Sequence, residues 1–322
     1  MKVISTLGPA CLTGRFIELC FQHRQPYFRL NGSHLGPWEL QTNLEFIKEQ
    51  SAGQSAVIYL DLQGEKKRIG KLAAPLSLSA GQEVTCVQAT ETNELQIPIS
   101  QPELFHAIQS GDRLVFQDAA LSMIALRVSQ VEITLRVEAA GELRSNCGIL
   151  IEGRPAAGTE FPAPQKDQIR LAAEAGIDFL ALSYLREEAA IKHLRNECDK
   201  MAYHPKIAAK IERPEALSNL QKIAEAADEL WFCRGDLGTF IPLRELGVWQ
   251  DRAIAAAKLV SKPVIIAGQV FQHLADHSQP TRSEVVHFHY IKREGAEGIV
   301  LSDETAIGID PGKAVAAIFS LL

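Results

Sequence analysis

Lys210 and Glu212 stand two residues apart at the end of the apolar run KIAAKI, so in an extended segment both side chains project to one face. A lysine beside a carboxylate is, in most proteins, a plain ion pair. Asp236, in the RGDLG turn that follows the next apolar run, changes that reading. Two hard carboxylates from neighbouring strands suit Mg2+, which takes one or two protein carboxylates and otherwise keeps substrate oxygens and water. Lysine and arginine beside such an ion would stabilise negative charge developing on a transferring phosphoryl group or an enolate. From residue types alone, these positions describe a Mg2+ site for an anionic substrate.

Such a site needs a frame that gathers strand ends. Eight short apolar runs cover residues 2–7, 26–30, 56–62, 179–185, 206–211, 230–233, 263–267 and 298–301. Near-continuous apolar strands imply burial on both faces, as in a parallel sheet covered by helices. The segments between them carry helix signals: Pro164 ahead of QKDQIRLAAEAG, Pro214 opening PEALSNLQKIAEAAD, Pro280 opening a helix that ends near Gly295, and a last helix over 311–321. This order of strands and helices predicts an α/β fold, a closed (β/α)8 TIM barrel rather than an open doubly wound sheet. Catalytic groups of such a barrel lie just beyond the C-terminal strand ends. Polar residues gather there: Arg29, Asn31, Ser33 and His34, then Asp61, Gln63 and Arg68, then Ser183 and Arg186, then Arg234 before Asp236, and finally Glu304 and Thr305.

From about residue 69 to residue 155 the helical period gives way to the alternating segments EVTCVQAT, RLVFQDA, LSMIALRVSQ and EITLRVEA, separated by Gly, Ser and Asn turns. Period-two patterning of this kind predicts a small inserted antiparallel β-barrel domain, 69–155, placed as a lid, with 1–68 and 156–322 forming the main barrel. Lys and Arg total 33 against 39 Asp and Glu, with no like-charge run, so the basic stripe of a nucleic-acid binder is absent. The opening MKVISTLG reads as a strand entering a turn rather than a signal peptide, and no apolar run approaches the roughly 20 residues that span a bilayer. Six cysteines without a CxxC pair read as reduced core thiols, Cys147 among them as a turn cysteine. His273 and His277, one helical turn apart, have no clear carboxylate or cysteine partner in sequence to complete a metal site. A soluble cytoplasmic protein without nucleic-acid or membrane partners is expected.

At these residues the chain resembles the pyruvate kinase family. STLGPA, FRLNGSH, YLDLQGEKKRIG, AKIERPEAL, WFCRGDLGTFIP, KPVIIAGQVF, QPTRSEV and VLSDETAIG follow in that family's order over essentially the whole chain. The resemblance implies phosphoryl transfer from phosphoenolpyruvate to ADP, with the pyruvate enolate then protonated. It implies that Lys210 acts at the phosphoryl and enolate oxygens together with Arg29, and that Glu212 and Asp236 hold Mg2+ or Mn2+. Gly235 and Gly268 would lie with Lys210 and Asp236 against the substrate, and Arg29, Asn31, His34 and Arg68 along the nucleotide and its phosphates. It also allows a homo-oligomer.

The chain departs from the family pattern at several positions. Gly268 replaces a threonine whose hydroxyl lies near the enolate, so protonation is expected to be slow and Gly268→Thr to speed it. Asn146 and Cys147 stand where the family has two lysines, with Arg144 close by, and Gln63 replaces a third. The family's C-terminal domain, with its effector site, is expected to be lacking. A potassium site would match Asn31, Ser33, Asp61 and the position of Leu62, where leucine offers no side-chain oxygen. Lys66 would supply fixed charge in place of the ion, so no K+ requirement is expected. Beside the kinase stand two other readings. One is a metal-dependent lyase, aldolase or decarboxylase acting on a pyruvate-type enolate. The other is a non-catalytic relative, against which the cluster of Lys210, Glu212 and Asp236 argues, because unused buried charge is costly.

Overall fold

Strands that are apolar on both faces stay dry only if the sheet has no wet side, and closing it on itself beneath helices achieves that. The computed structural model describes residues 1–51, 53–64, 67–92, 95–117, 121–152 and 163–322. In it, eight parallel strands close into a barrel: β1 (Lys2–Thr6), β2 (Tyr27–Asn31), β3 (Val57–Asp61), β4 (Phe179–Leu182), β5 (Lys206–Ile211), β6 (Glu229–Cys233), β7 (Val264–Ala267) and β8 (Gly298–Leu301). Each pairs with its successor in the chain, and β8 returns to β1. All eight apolar runs are strands, with only their ends shifted.

The inward faces follow the period of two. Ile4, Tyr59, Ala208, Trp231 and Ile265 belong to one buried cluster, in which Tyr59 stacks on Phe179 with ring centroids 4.3 Å apart. At the N-terminal mouth Glu229, fully buried, accepts from Lys2 Nζ at 2.5 Å and from Trp231 Nε1 at 3.0 Å. At the other mouth the same inward period places Asp61 two residues beyond Tyr59, and Lys210 two beyond Ala208.

Helices cover the barrel where their caps predict. The Thr281 hydroxyl accepts from the Glu284 N–H while the Glu284 carboxylate accepts from the Thr281 N–H, a capping box that starts the helix Arg282–Glu294. Gly295, at φ 91°, ends it in the left-handed region. The single helix expected from Pro214 is instead two, Pro214–Ser218 and Leu220–Ala226. Asn219 interrupts it, its side-chain amide donating to the carbonyls of Arg186 and Glu215 at 3.1 and 3.2 Å. Side-chain bonding of this kind competes with the helical ladder.

The chain divides into two compact units, one of residues 1–64, 160–238 and 243–322, the other of 65–159 and 239–242. The second holds a six-stranded sheet in the order Ile149–Ile151, Arg113–Phe116, Leu121–Val128, Glu132–Ala139, Glu83–Gln88, Gln96–Ile99. Alternation alone implies antiparallel pairing throughout, yet Glu83–Gln88 and Gln96–Ile99 run parallel. Between them, Glu91–Thr92 pairs outside this sheet with Lys71–Leu72. Phe116, Met123 and Leu135 lie in its core, and Cys147 packs against it. All six cysteines are free thiols. Among the described residues no helix is long and apolar enough to cross a membrane.

Glu229 is the acceptor on which the N-terminal mouth depends. Glu229→Ala leaves the Trp231 N–H buried without its carboxylate and Lys2 without its counter-charge, and should cost about 3 kcal/mol. Urea unfolding should show a lower midpoint at an unchanged slope, and an unaltered midpoint would contradict this role.

Candidate active site

The site is assembled from one side chain on each of five neighbouring strands. Thr6 of β1 accepts from Arg29 Nη1 of β2 at 2.9 Å. Arg29 in turn places Nε and Nη2 at 2.8 and 2.7 Å from Asp61 Oδ2 of β3. Asp61 Oδ1 accepts at 2.9 Å from Ser183, just beyond β4, and at 2.9 Å from Lys210 Nζ of β5. Lys210 also donates to Ser183 Oγ at 2.9 Å and pairs with Glu212 Oε1 at 2.7 Å. Its ammonium thus finds three acceptors for its three protons.

Lys210, Asp61 and Glu212 are 8%, 2% and 1% exposed, a depth at which charge persists only when paired. Burial alone would push the Lys210 ammonium down, but Asp61 and Glu212 outweigh it and hold the group above the ordinary lysine value. Burial would likewise raise Asp61, and Lys210 with Arg29 outweighs it, keeping this carboxyl below the usual range. Glu212 goes the other way. Burial, with Asp236 and Asp61 nearby, raises its carboxyl in spite of Lys210.

Glu212 and Asp236 lie close enough that Asp236, after burial and Lys210, bears on the Glu212 carboxyl and helps to raise it. A divalent cation fits a pair of hard oxygen donors placed in this way. Among the described residues no group of three or more His, Cys, Asp and Glu side chains forms a metal cage. Two carboxylates are what Mg2+ takes when substrate and water complete its shell.

Asp236 lies in the first turn of the helix Arg234–Phe240. Its Oδ1 accepts from the Tyr184 hydroxyl at 2.8 Å, while the Tyr184 N–H donates to Glu212 Oε2 at 2.8 Å. Tyr184 was not among the expected site residues. The signal for it was a hydroxyl-bearing aromatic directly after Ser183 at a strand end.

Gly268, beyond β7, sits at φ 83°, and a Cβ there would stand 2.8 Å from the Gly235 backbone nitrogen. Gly268→Thr would therefore strain the backbone and press on Gly235, so the expected gain from that change is not what the geometry favours. The Gly268 carbonyl accepts from Arg234 Nε at 2.8 Å and from Nη2 at 2.5 Å, and Arg234 Nη1 lies 3.2 Å from His287 Nε2. Burial pushes Arg234 down to about 10, against the pull of Glu304. Burial and then Arg234 push His287 down to about 4.

The other expected residues have local partners. Asn31 Oδ1 accepts from the Ser33 N–H at 3.1 Å and the Asn31 carbonyl from the His34 N–H at 3.0 Å, so both belong to the turn after β2. Arg68 belongs to the second unit, where it donates to the Asn146 carbonyl at 2.9 Å. Lys66 lies outside the described residues. Glu304 accepts from the backbone N–H groups of Ser302 and Phe271, and Thr305 donates to the Thr6 carbonyl, so these two brace loops. His273 and His277 stack with centroids 3.7 Å apart, each with Nδ1 at a backbone carbonyl.

The family profile described as pyruvate kinase, barrel domain, matches residues 1–315. The pyruvate kinase of Corynebacterium efficiens is 30% identical over 318 residues, covering 98% of this chain and 67% of that protein. The enzyme of Methylorubrum extorquens is 30% identical over 323 residues, 66% of its length, and pyruvate kinase 2 of Synechocystis is 30% identical over 55% of its length. The chain thus spans about two thirds, or less, of these relatives. The crystal structure of pyruvate kinase from Pyrobaculum aerophilum superposes on all of this chain and 72% of its own, with a TM-score of 0.86 at 22% identity.

His287 gives the site an acid-sensitive neighbour. Its folded value, about 4, lies below its ordinary 6.5, so between those values the unfolded chain binds the additional proton. Its contribution is fully present above pH 6.5 and is lost as pH falls toward 4. His287→Gln should flatten the fall in thermal midpoint over that window, and parallel curves for the two proteins would contradict the assignment.

Proposed function

This chain belongs to the pyruvate kinase family, and we propose that it catalyses divalent-metal-dependent phosphoryl transfer between phosphoenolpyruvate and ADP, giving pyruvate and ATP. The observation that carries this reading is Lys210, kept charged by Asp61 and Glu212 at the C-terminal mouth of the barrel. A fixed ammonium there meets the negative charge that moves between a phosphoryl group and an enolate oxygen. Arg29, oriented by Asp61 and Thr6, directs its remaining N–H groups to phosphoryl oxygens.

Glu212 and Asp236 would hold Mg2+ or Mn2+, which when bound supplies positive charge for the keto-acid and phosphoryl oxygens. Gly235, with Gly268 packed against its backbone, would leave N–H groups for the substrate carboxylate. Asn31, His34 and Arg68 would serve the nucleotide. Residues 69–155 would act as the inserted lid, and the protein would work in the cytoplasm on small molecules, alone or as a homo-oligomer.

One observation favours a second reading. Gly268 carries no hydroxyl and is held left-handed, so the enolate could instead enter aldol addition, carbon–carbon cleavage or decarboxylation at the same metal and lysine. Phosphorus and proton NMR of the protein with phosphoenolpyruvate, ADP and Mg2+ separates the two. Formation of ATP and pyruvate, slowed about 100- to 1,000-fold by Lys210→Met, is expected. No ATP, with turnover of a keto acid such as oxaloacetate, would replace the kinase by the second reading.

Potassium should not be needed. Leu62 is buried and offers no side-chain oxygen, and both Asp61 oxygens are already taken by Lys210, Ser183 and Arg29. Activity in potassium-free buffer should equal that in KCl at the same ionic strength. A strong stimulation by KCl would contradict this.

A further inference from the structure

Tyr184, which none of the chemistry above uses, touches both carboxylates of the metal pair. Its backbone N–H donates to Glu212 Oε2 and its phenol to Asp236 Oδ1, each at 2.8 Å. Glu212 lies beyond β5 and Asp236 beyond β6, so a single residue of the turn after β4 ties together groups from two other strands.

The backbone that allows this is unusual. Tyr184 sits at φ 58°, a left-handed conformation that a bulky L residue adopts only when its surroundings enforce it. The surroundings are shaped for it. A Cβ on Gly64 would come within 2.4 Å of Tyr184 Cδ2 and 2.8 Å of Ser183 Cβ, so the ring has its place only because residue 64 carries no side chain. A tyrosine that merely filled space would need neither the strained backbone nor the two bonds.

We propose that Tyr184 is the positioning residue of the metal pair, fixing Glu212 and Asp236 in ligating orientation before an ion arrives. This rests on the reading of those two carboxylates as the metal ligands. Each carboxylate oxygen has a second lone pair, so an ion can be bound without breaking either Tyr184 bond. Without the phenol, the Asp236 carboxylate loses one of the bonds that fix its orientation, and the ordering then needed weakens binding of the ion.

Tyr184→Phe keeps the ring against Gly64 and the N–H on Glu212, and removes the phenolic bond to Asp236. Mn2+ titration of the whole chain, followed by the EPR signal of free Mn2+, should give a Kd about tenfold weaker than wild type, with the thermal midpoint in EDTA unchanged. Gly64→Ala, which displaces the ring, should weaken Mn2+ in the same direction. Asp236→Ala serves as the reference and should abolish binding. If the wild type binds no Mn2+, or Asp236→Ala binds it as well as wild type, the metal-pair reading fails and the proposal with it. If Asp236→Ala loses the ion while Tyr184→Phe binds within about twofold of wild type, less than the loss of such a partner brings, the role of Tyr184 alone is overturned. A Tyr184→Phe protein with a lowered midpoint and unchanged Mn2+ affinity would likewise mark the residue as structural.

Discussion

A lysine that is 8% exposed keeps its charge only where acceptors meet each of its ammonium protons. For Lys210 those acceptors come from Asp61, Ser183 and Glu212, at the ends of three neighbouring strands. Asp61 in turn needs Arg29, and Arg29 is braced by Thr6. The requirement thus passes across five strands of the barrel. A slip of one residue in any of them would turn its side chain to the other face and leave a buried charge unpaired. Closing the barrel and completing the site are for this reason a single constraint.

The two mouths of the barrel show what separates a structural ion pair from a site. At the N-terminal mouth Glu229 is met by Lys2 and by the Trp231 N–H, one charge against one. At the C-terminal mouth the carboxyl of Glu212 is raised by burial and by the neighbouring Asp236 and Asp61, in spite of Lys210. Paired carboxylates beside fixed cations are the donor set a divalent ion with an anionic ligand takes. Tyr184 and Gly64 stand next to these carboxylates, where strained backbone is most often retained.

Much of this was legible in the residues. Apolar runs without alternation marked all eight strands, and the spacing of Lys210 and Glu212 placed them on one face. The helix that opens at Pro280 and ends near Gly295 was readable because such start and stop signals are local. What was not legible depends on contacts distant in sequence. Nothing in Tyr184 announces a left-handed backbone, and its position is cleared by Gly64, far away in the chain. Asp61 matches a potassium-site position of the family, and only the folded chain shows that its two oxygens accept from Lys210, Ser183 and Arg29. The break at Asn219 and the parallel pair in the second unit likewise follow from partners that periodicity cannot name.

The central claim is that the Lys210 cluster is built to hold an enolate-like dianion together with a divalent ion. Calorimetric titration of oxalate, a planar enolate mimic, into wild-type protein and into Lys210→Met tests it directly. Binding by the wild type in Mg2+, lost in EDTA and lost in Lys210→Met even with Mg2+ present, is the result this account predicts. Oxalate binding that persists without the metal, or with equal affinity when Lys210 is replaced, would contradict it.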